Sequence, residues 1–378
     1  MSSEKKIIIV GAGICGLTLA HSVKKQTDYE VRVIEKDTPA NLLGTGINLL
    51  GNALRALDQV GLGDACLKHG KGWSEVSLAD GAGNIHRTIK TGNSHREGFP
   101  AALGIMRPVF GKILEENALA SGAKIDYQTT VTDIVQNDNK VNVTLSNGET
   151  DTCDLLVAAD GALSATRKMV FGDHLKGEYV GQGIWRYTIP RPETLTGFVA
   201  YRHGELSLGL LPLSEELCYL FFLENSKEKI HIPEDQLADI LRSRLEGFTA
   251  PEIQFAKEII DNEKYINYRP LEPLLVPQPW FKGRVLLVGD AAHAVAPQLT
   301  SGGGMAIEDA VVLAEELQRT SNIDQAIKEY CERRKDRVNM VYENSLAVCR
   351  AEQLPVRDEP GVAKILTDSY RELYEEKF

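Results

Sequence analysis

Ile7-Ile8-Ile9-Val10-Gly11-Ala12-Gly13-Ile14-Cys15-Gly16 opens a stretch that closes, after a helical run to about Lys25, on Val31-Arg32-Val33-Ile34-Glu35. Four consecutive apolar residues, mostly β-branched, read as a short strand buried on both faces of a parallel sheet. The glycines follow at the spacing of a dinucleotide-binding turn, and each has a physical task. Gly11 permits the tight turn, Gly13 lets backbone N–H groups approach a pyrophosphate, and Gly16 lets helix and strand pack closely. The helix N-terminus adds unpaired N–H groups and partial positive charge. Glu35 stands where an acid accepts the hydroxyls of a ribose, and it disfavours a 2′-phosphate by charge repulsion. The unit predicts an α/β, Rossmann-like fold that binds a dinucleotide. NAD and FAD both satisfy it.

Composition narrows the function classes. The 378 residues are 43% hydrophobic, 25% charged and 7% aromatic, which argues against disorder and for two or three domain-sized units. A net charge of −11, from 42 basic and 53 acidic residues, argues against general affinity for nucleic acid or anionic lipid. No run of 18 apolar residues predicts a membrane span. The residues before Ile7 leave no room for a signal peptide, and Cys15, Cys66, Cys153, Cys218, Cys331 and Cys349 show no paired spacing. The expectation is free thiols in a reducing, cytoplasmic compartment. No His, Cys, Asp and Glu set has metal-ligand spacing, so no metal is expected.

Along the chain, helices are predicted over 52–60 and 108–121, the latter with proline in its first turn. Strand-like runs flank the turn Asp80-Gly81-Ala82-Gly83-Asn84, and a second pair spans 131–136 and 140–145. From 179 to 224 short strands follow one another without a helical period, which predicts an antiparallel sheet, crossed by a helix at about 233–245. A last βα unit begins at Val285-Leu286-Leu287-Val288, with a loop over 294–304 and a helix from Met305. More helix runs from 323 to about 354, and a final short helix ends the chain. The implied organisation is a discontinuous nucleotide-binding domain (1–72, 101–178 and 280–340), an inserted β-sheet substrate domain (73–100 and 179–279) and a C-terminal helical segment (341–378).

Two further strands end in acid–glycine pairs, Asp160-Gly161 and Gly289-Asp290. In open α/β sheets ligands sit beyond the carboxyl ends of strands, so three such ends line one crevice long enough for an extended dinucleotide. An aspartate at the last of them suits a polyol chain, and Ser301-Gly302-Gly303-Gly304 opens a helix whose N–H groups suit the negative edge of a reduced flavin.

These motifs in order resemble the class A flavoprotein monooxygenases, of the para-hydroxybenzoate and salicylate hydroxylase type, nearly end to end. The resemblance rests on Gly11-x-Gly13-x-x-Gly16 with Glu35, Gly46-Ile47, Asn52-Ala53-Leu54 and Arg107. It continues through Asp160-Gly161-x-x-Ser164-x-x-Arg167 and Gly289-Asp290-Ala291-Ala292-His293 to Pro297 and Ala306-Ile307-Glu308-Asp309-Ala310. It implies a glutathione-reductase-type FAD domain holding FAD tightly and non-covalently, with NAD(P)H docking transiently and O₂ as co-substrate. The implied cofactor-binding residues are Gly11, Gly13, Ile14, Cys15, Gly16, Glu35, Lys36, Gly46 and Arg107, backbone near Val131 against adenine, Asp160, and Asp290 on the ribityl chain or pyrophosphate. Pro297, Gly302, Gly303 and Gly304 would flank the isoalloxazine. Two departures stand out: Thr300-Ser301-Gly302 where the family often carries Gly-Gln-Gly, and Gly51-Asn52 where it usually carries Pro-Asn.

The implied reaction is hydroxylation of an aromatic or polycyclic phenol-like molecule through a flavin C4a-hydroperoxide, in a pocket dry enough to protect it. A base or cation should face the flavin to stabilise a phenolate. Side chains alternate along 183–189, so Ile184, Arg186 and Thr188 share one face while Trp185 and Tyr187 share the other. By position Arg186 matches a family site that faces substrate, with Tyr219 and Phe221 beside it and Gln298 approaching from the loop. Arg186, Tyr219 and Gln298 are therefore the candidate catalytic residues. The pattern alone also fits Arg186 as a salt-bridging arginine and Tyr219 as a packed aromatic. A flavin-dependent reductase or dehydrogenase without oxygen insertion is the alternative activity, and the assembly is expected to be a monomer or homodimer.

Overall fold

A computed structural model describes residues 5–38, 45–92, 94–261, 266–356, 358–376 and 378. Its centre is a six-stranded sheet in the order 281–282, 285–287, 155–158, 6–10, 30–34, 124–126, parallel throughout except for the first edge strand. The strand Lys6–Val10 lies in the middle, and Ile7, Ile8 and Ile9 are fully buried. Its two faces enter different cores. Ile7 and Ile9 pack among the helices with Leu17, Leu19 and Val311, whereas Ile8 and Val10 meet Val141, Val143 and Leu156. A central strand covered on both sides needs apolar residues at every position, which is why this one shows no alternation.

The helix Ile14–Gln26 packs against the long helix Gly302–Arg319, which itself rests on Ile323–Glu352. A meander of Val131–Gln136, Val141–Leu145 and Thr150–Cys153 covers the other face of the central sheet. A small sheet joins Gly46–Leu50, Ala102–Met106 and Lys71–Trp73.

A further sheet has seven strands in the order 266–270, 182–190, 217–225, 206–212, 198–203, 75–80, 85–90. All its pairings are antiparallel except that of Phe198–His203 with Glu75–Asp80, which is parallel. One face carries Trp185, Tyr187, Leu208 and Leu220 against the helices Leu237–Arg244 and Pro251–Glu258. The other face, bearing Arg186, Phe198, Tyr219 and Phe221, looks into a cavity.

Several local readings change. The helix over 233–245 begins only at Leu237, after a 3₁₀ turn at Glu234–Gln236, and the helix Pro251–Glu258 follows it unforeseen. The helix expected from Met305 begins at Gly302. Tight packing explains this start: a Cβ on Gly303 or Gly304 would stand 2.8 Å from Ile47 Cδ1 or 2.9 Å from Asn52 Nδ2. The glycines thus serve close packing of the first turn rather than a loop. The last helix, Glu359–Glu375, has 17 residues and is not short. It packs back on the core through Leu373, Tyr370 and Tyr374. No helix among the described residues is long and apolar enough to cross a membrane.

Candidate functional site

A cavity of about 1050 Å³ lies between the carboxyl ends of the parallel strands, the open face of the seven-stranded sheet and the last helix. That is at the upper limit of the roughly 300–1,000 Å³ typical for one small ligand, and it suits a dinucleotide with a second molecule beside it.

Three glycines of the first turn differ in what constrains them. Gly11 has φ +107°, and a Cβ there would lie 2.5 Å from the carbonyl oxygen of Ala159. A Cβ on Gly16 would collide with the carbonyl oxygen of Gly11. Gly13 has an ordinary φ of −80° at the N-cap of Ile14–Gln26, and apart from its chain neighbours no atom of the described residues lies within 4 Å of where its Cβ would be. The protein's own packing needs glycine at 11 and 16. At 13 only an approaching ligand does, and that cradle fits a pyrophosphate.

Glu35 fastens the turn: its Oε2 accepts from Ala12 N at 2.7 Å and its Oε1 from Asp37 N at 2.9 Å. Each oxygen keeps a lone pair for a further donor such as a ribose hydroxyl. Thr129 N donates to Glu35 O at 2.9 Å, which brings the backbone leading into Val131 alongside. The Val131 side chain itself is buried with Val141 and Val143, outside the cavity lining, and Lys36 is exposed.

Asp160 is turned away from the cavity. Its carboxylate accepts from Ser164 Oγ and from Thr166 N, capping the helix Ala165–Phe171, so only its neighbours Ala159 and Gly161 line the cavity. Asp290 is the reverse case. Its carboxylate reaches the cavity and accepts no hydrogen bond from the protein's described residues. Enclosure in the cavity raises this carboxyl, with Asp309 adding to the rise against His293 and Arg107. The turn that presents it is gripped at both ends. Gly289 N donates to Asp309 Oδ2 at 2.8 Å, and Arg167 Nη1 donates to Ala291 O at 2.9 Å.

Asp309 belongs to a buried charge cluster beneath the site. It accepts from His293 Nε2 at 2.7 Å and Arg334 Nε at 2.8 Å. Glu308 is bound by Arg337 at 3.0 Å through both Nε and Nη2, and by Asn52 Nδ2 at 2.9 Å. Arg334 Nη1 also lies 2.7 Å from Glu308 Oε2, close enough for an ion pair but off the angle of a hydrogen bond. Two carboxylates and two guanidiniums, essentially removed from water, balance one another.

Of the residues expected around the cofactor, Gly13, Ile14, Cys15, Gly46, Arg107, Asp290, Pro297, Gly302 and Gly303 line the cavity, and Gly304 packs behind it on Asn52. Burial pushes the Cys15 thiol well above its ordinary range, so it remains a protonated wall residue. Arg107 projects into the cavity, where enclosure by protein and the nearby Arg186 both lower its proton affinity. Asp290 is the carboxylate whose charge Arg107 feels, and Arg186 forms no hydrogen bond or ion pair with a carboxylate among the described residues.

On the sheet, Arg186 stands directly opposite Phe221, and Thr188 opposite Tyr219. Tyr219 stacks on Phe221 at 5.1 Å, Phe221 meets Phe198 at 5.8 Å, and Phe198 meets Trp73 edge-on at 5.4 Å. Gln298 stands at one end of this wall. Its Nε2 donates to Gln182 Oε1 at 2.7 Å, while its Oε1 is buried without a partner. The site also contains residues that sequence reasoning passed over as contributors. Arg167, Glu308 and Asp309 lay within recognised motifs as unexplained charges, whereas Tyr370 and Leu366 of the last helix, both lining the cavity, had no local signal.

Comparison with known proteins adds to this geometry. A family described as FAD binding domain matches residues 4–345. YetM of Bacillus subtilis (strain 168), whose name classes it provisionally as an FAD-dependent monooxygenase, is 31% identical over 98% of this chain and 99% of its own. A 2-heptyl-3-hydroxy-4(1H)-quinolone synthase of Pseudomonas aeruginosa (strain UCBPP-PA14) is 30% identical over 82% of this chain and 79% of its own. Among solved structures, Klebsiella pneumoniae HpxO complexed with FAD and uric acid superposes with a TM-score of 0.81 at 25% identity, covering 100% of this chain and 94% of that one. The expectation of a reductase without oxygen insertion draws no support from these relatives.

Proposed function

The chain belongs to the FAD-binding monooxygenase family, and on that premise we propose that it hydroxylates a planar aromatic compound carrying negative charge. The enzyme is an FAD-dependent monooxygenase that consumes NAD(P)H and O₂. FAD, when bound, would supply the redox chemistry with NAD(P)H and O₂. Gly13, Glu35, Arg107 and Asp290 are the residues assigned to hold it, and Pro297, Gly302 and Gly303 to flank its ring.

The observation that carries the substrate class is Arg186. An arginine without a carboxylate partner, set in a row of Tyr219, Phe221 and Phe198, offers one face for stacking and one charge for pairing. A guanidinium there stabilises a phenolate or enolate, which makes the ring more electron-rich at the moment of oxygen transfer. The names of two relatives' ligands, a quinolone and uric acid, are those of planar heteroaromatics.

The test is a panel of hydroxylated aromatic acids and neutral phenols, scored for stimulated NAD(P)H oxidation and for incorporation of labelled O₂. Acids should be preferred, and Arg186→Gln should raise their KM by roughly 10- to 150-fold, the worth of one hydrogen bond to a charged group. An unchanged KM for the acids in the variant would remove Arg186 from substrate recognition.

A further inference from the structure

Gln182 opens the strand Gln182–Pro190, is only 1% exposed, and has both polar atoms of its amide engaged. Its Nε2 donates to Asn225 Oδ1 at 2.8 Å and to Glu352 Oε2 at 3.3 Å. Its Oε1 accepts from Gln298 Nε2 at 2.7 Å and from Cys349 Sγ at 3.1 Å. Three segments remote in sequence therefore meet on one buried amide: the end of the strand Leu217–Asn225, the turn Pro297–Leu299 and the C-terminus of the helix Ile323–Glu352. Gln182, Asn225, Gln298 and Glu352 together close one end of the cavity.

The direction of these bonds is set by the groups at their ends. Asn225 Nδ2 donates to the backbone carbonyl of Glu352 at 3.1 Å, and a carbonyl can only accept. Asn225 Oδ1 is thus the atom that faces Gln182, which presents Nε2 to it and Oε1 to Gln298. Gln298 answers with its Nε2, which also lies 3.3 Å from the acceptor-only Glu352 carboxylate. Burial raises the Cys349 thiol to about 11, so it keeps the proton it donates. A reversed amide at 182 would set acceptor against acceptor at Asn225 and donor against donor at Gln298, a cost that burial makes severe.

The bond between the two glutamines joins two parts of the site. Gln298 is the middle residue of the turn that leads through Thr300 and Ser301 into Gly302–Arg319. Gln182 shares its face of the strand with Ile184 and Arg186, and Arg186 stands four residues on, about 13 Å away at the usual strand rise. We infer that Gln182 is a positioning residue: by holding Gln298 it fixes the flavin-side turn at a set distance from the strand that carries Arg186. The role rests on the flavin ring lying against residues 297–303, as proposed above. Gln298 acts through this tether rather than on substrate, because its Nε2 is committed to Gln182 and its Oε1 is buried.

A double-mutant cycle on the FAD-loaded enzyme tests this. FAD release on dilution is followed by the return of free-flavin fluorescence, the flavin's surroundings by its visible absorption spectrum, and stability by the urea midpoint. Gln182→Met and Gln298→Met each remove one partner at nearly constant volume. Each should speed release by about 3- to 10-fold, the worth of one neutral hydrogen bond, and shift the visible band. The double variant should release FAD no more than about twofold faster than the faster single, because both changes remove the same bond. Gln353→Leu is the control for packing. Gln353 ties the same helix end to the residue before that strand pair, donating to Val180 O at 2.9 Å, and forms no hydrogen bond with Gln298 among the described residues. It should lower the urea midpoint and leave release and spectrum as in the wild type. The inference is overturned if the single effects multiply in the double variant, if neither single changes release or spectrum, or if Gln353→Leu changes them equally. Gly302→Leu separates this outcome from an error in the flavin's placement. Beyond its own helix and chain neighbours its Cβ would touch only Val295 Cγ2, at 3.4 Å, which is itself a cavity residue, so the leucine grows into the cavity. If Gly302→Leu leaves release and spectrum unaltered, the ring does not lie there and the role of Gln182 falls with that premise. If it alters them while Gln182→Met does not, only the tether fails.

Discussion

Gly13→Val yields a folded, colourless protein. The substitution meets no obstacle within the chain: the backbone at 13 is in an ordinary extended conformation, and the space around its Cβ is open to 4 Å. The helix Ile14–Gln26 loses little, because its N-cap glycine contributes no side-chain cap. What the valine fills is the approach to the N–H groups at the start of that helix. Losing two charge-assisted contacts to the pyrophosphate, at roughly 1.5 kcal/mol each, raises the FAD dissociation constant at least about 100-fold. Gly16→Ala behaves in the opposite way, since its Cβ would collide with the Gly11 carbonyl and the helix cannot seat on the strand. Titration with FAD, followed by flavin fluorescence, and far-ultraviolet circular dichroism separate the two. A yellow Gly13→Val protein with undiminished affinity would show that the cradle is not the pyrophosphate site.

Asp309→Ala should cost about 3–5 kcal/mol of stability, the range for removing one member of a buried, hydrogen-bonded charge set. Three donors lose their acceptor at once: Gly289 N, His293 Nε2 and Arg334 Nε. Arg334, with no exposed surface, keeps Glu308 as its remaining counter-charge. The functional consequence is specific, because the Gly289 N–H fixes the turn that presents Asp290. FAD affinity should therefore fall together with the urea midpoint, and Asp309→Asn should recover part of both by accepting from Gly289. The contribution depends on pH. Burial alone would raise the Asp309 carboxyl, but His293, Arg334 and the Gly289 N–H outweigh it and hold it well below the ordinary 3.8. A carboxyl depressed in the folded state stabilises at pH values above its unfolded pKa and loses that contribution as pH falls toward the folded one. The gap between wild type and Asp309→Ala should thus be full at pH 7 and shrink below about pH 4. A gap that stays constant down to pH 2 would mean that Asp309 acts through packing alone.

The last helix gives these two predictions a common frame. Arg337 joins its C-terminal carbonyls to Glu308, and Tyr370 lines the cavity together with Thr300. The last helix therefore bears on both the charge cluster and the cavity wall, and truncation before Glu359 should lower FAD affinity and stability together.

The nucleotide-binding unit was legible in the sequence because its parts are neighbours along the chain. An unbroken apolar run at Ile7–Val10, three glycines at fixed spacing and an acid after the next strand each act within about thirty residues. The facing of Arg186 away from Trp185 and Tyr187 is equally local, since a strand's period of two assigns faces without reference to anything else. What only the tertiary structure decided are the meetings of distant residues. Asp160 looked like a cofactor ligand by its place after a strand, yet its nearest donors, Ser164 and Thr166, turn it into a helix cap. Tyr370 carried no local signal, yet the last helix brings it to the wall of the same cavity as Thr300, 70 positions earlier. Periodicity and turn chemistry are written in adjacent residues, whereas the shape and charge of a cavity depend on which remote side chains the packing of sheets and helices brings to its wall.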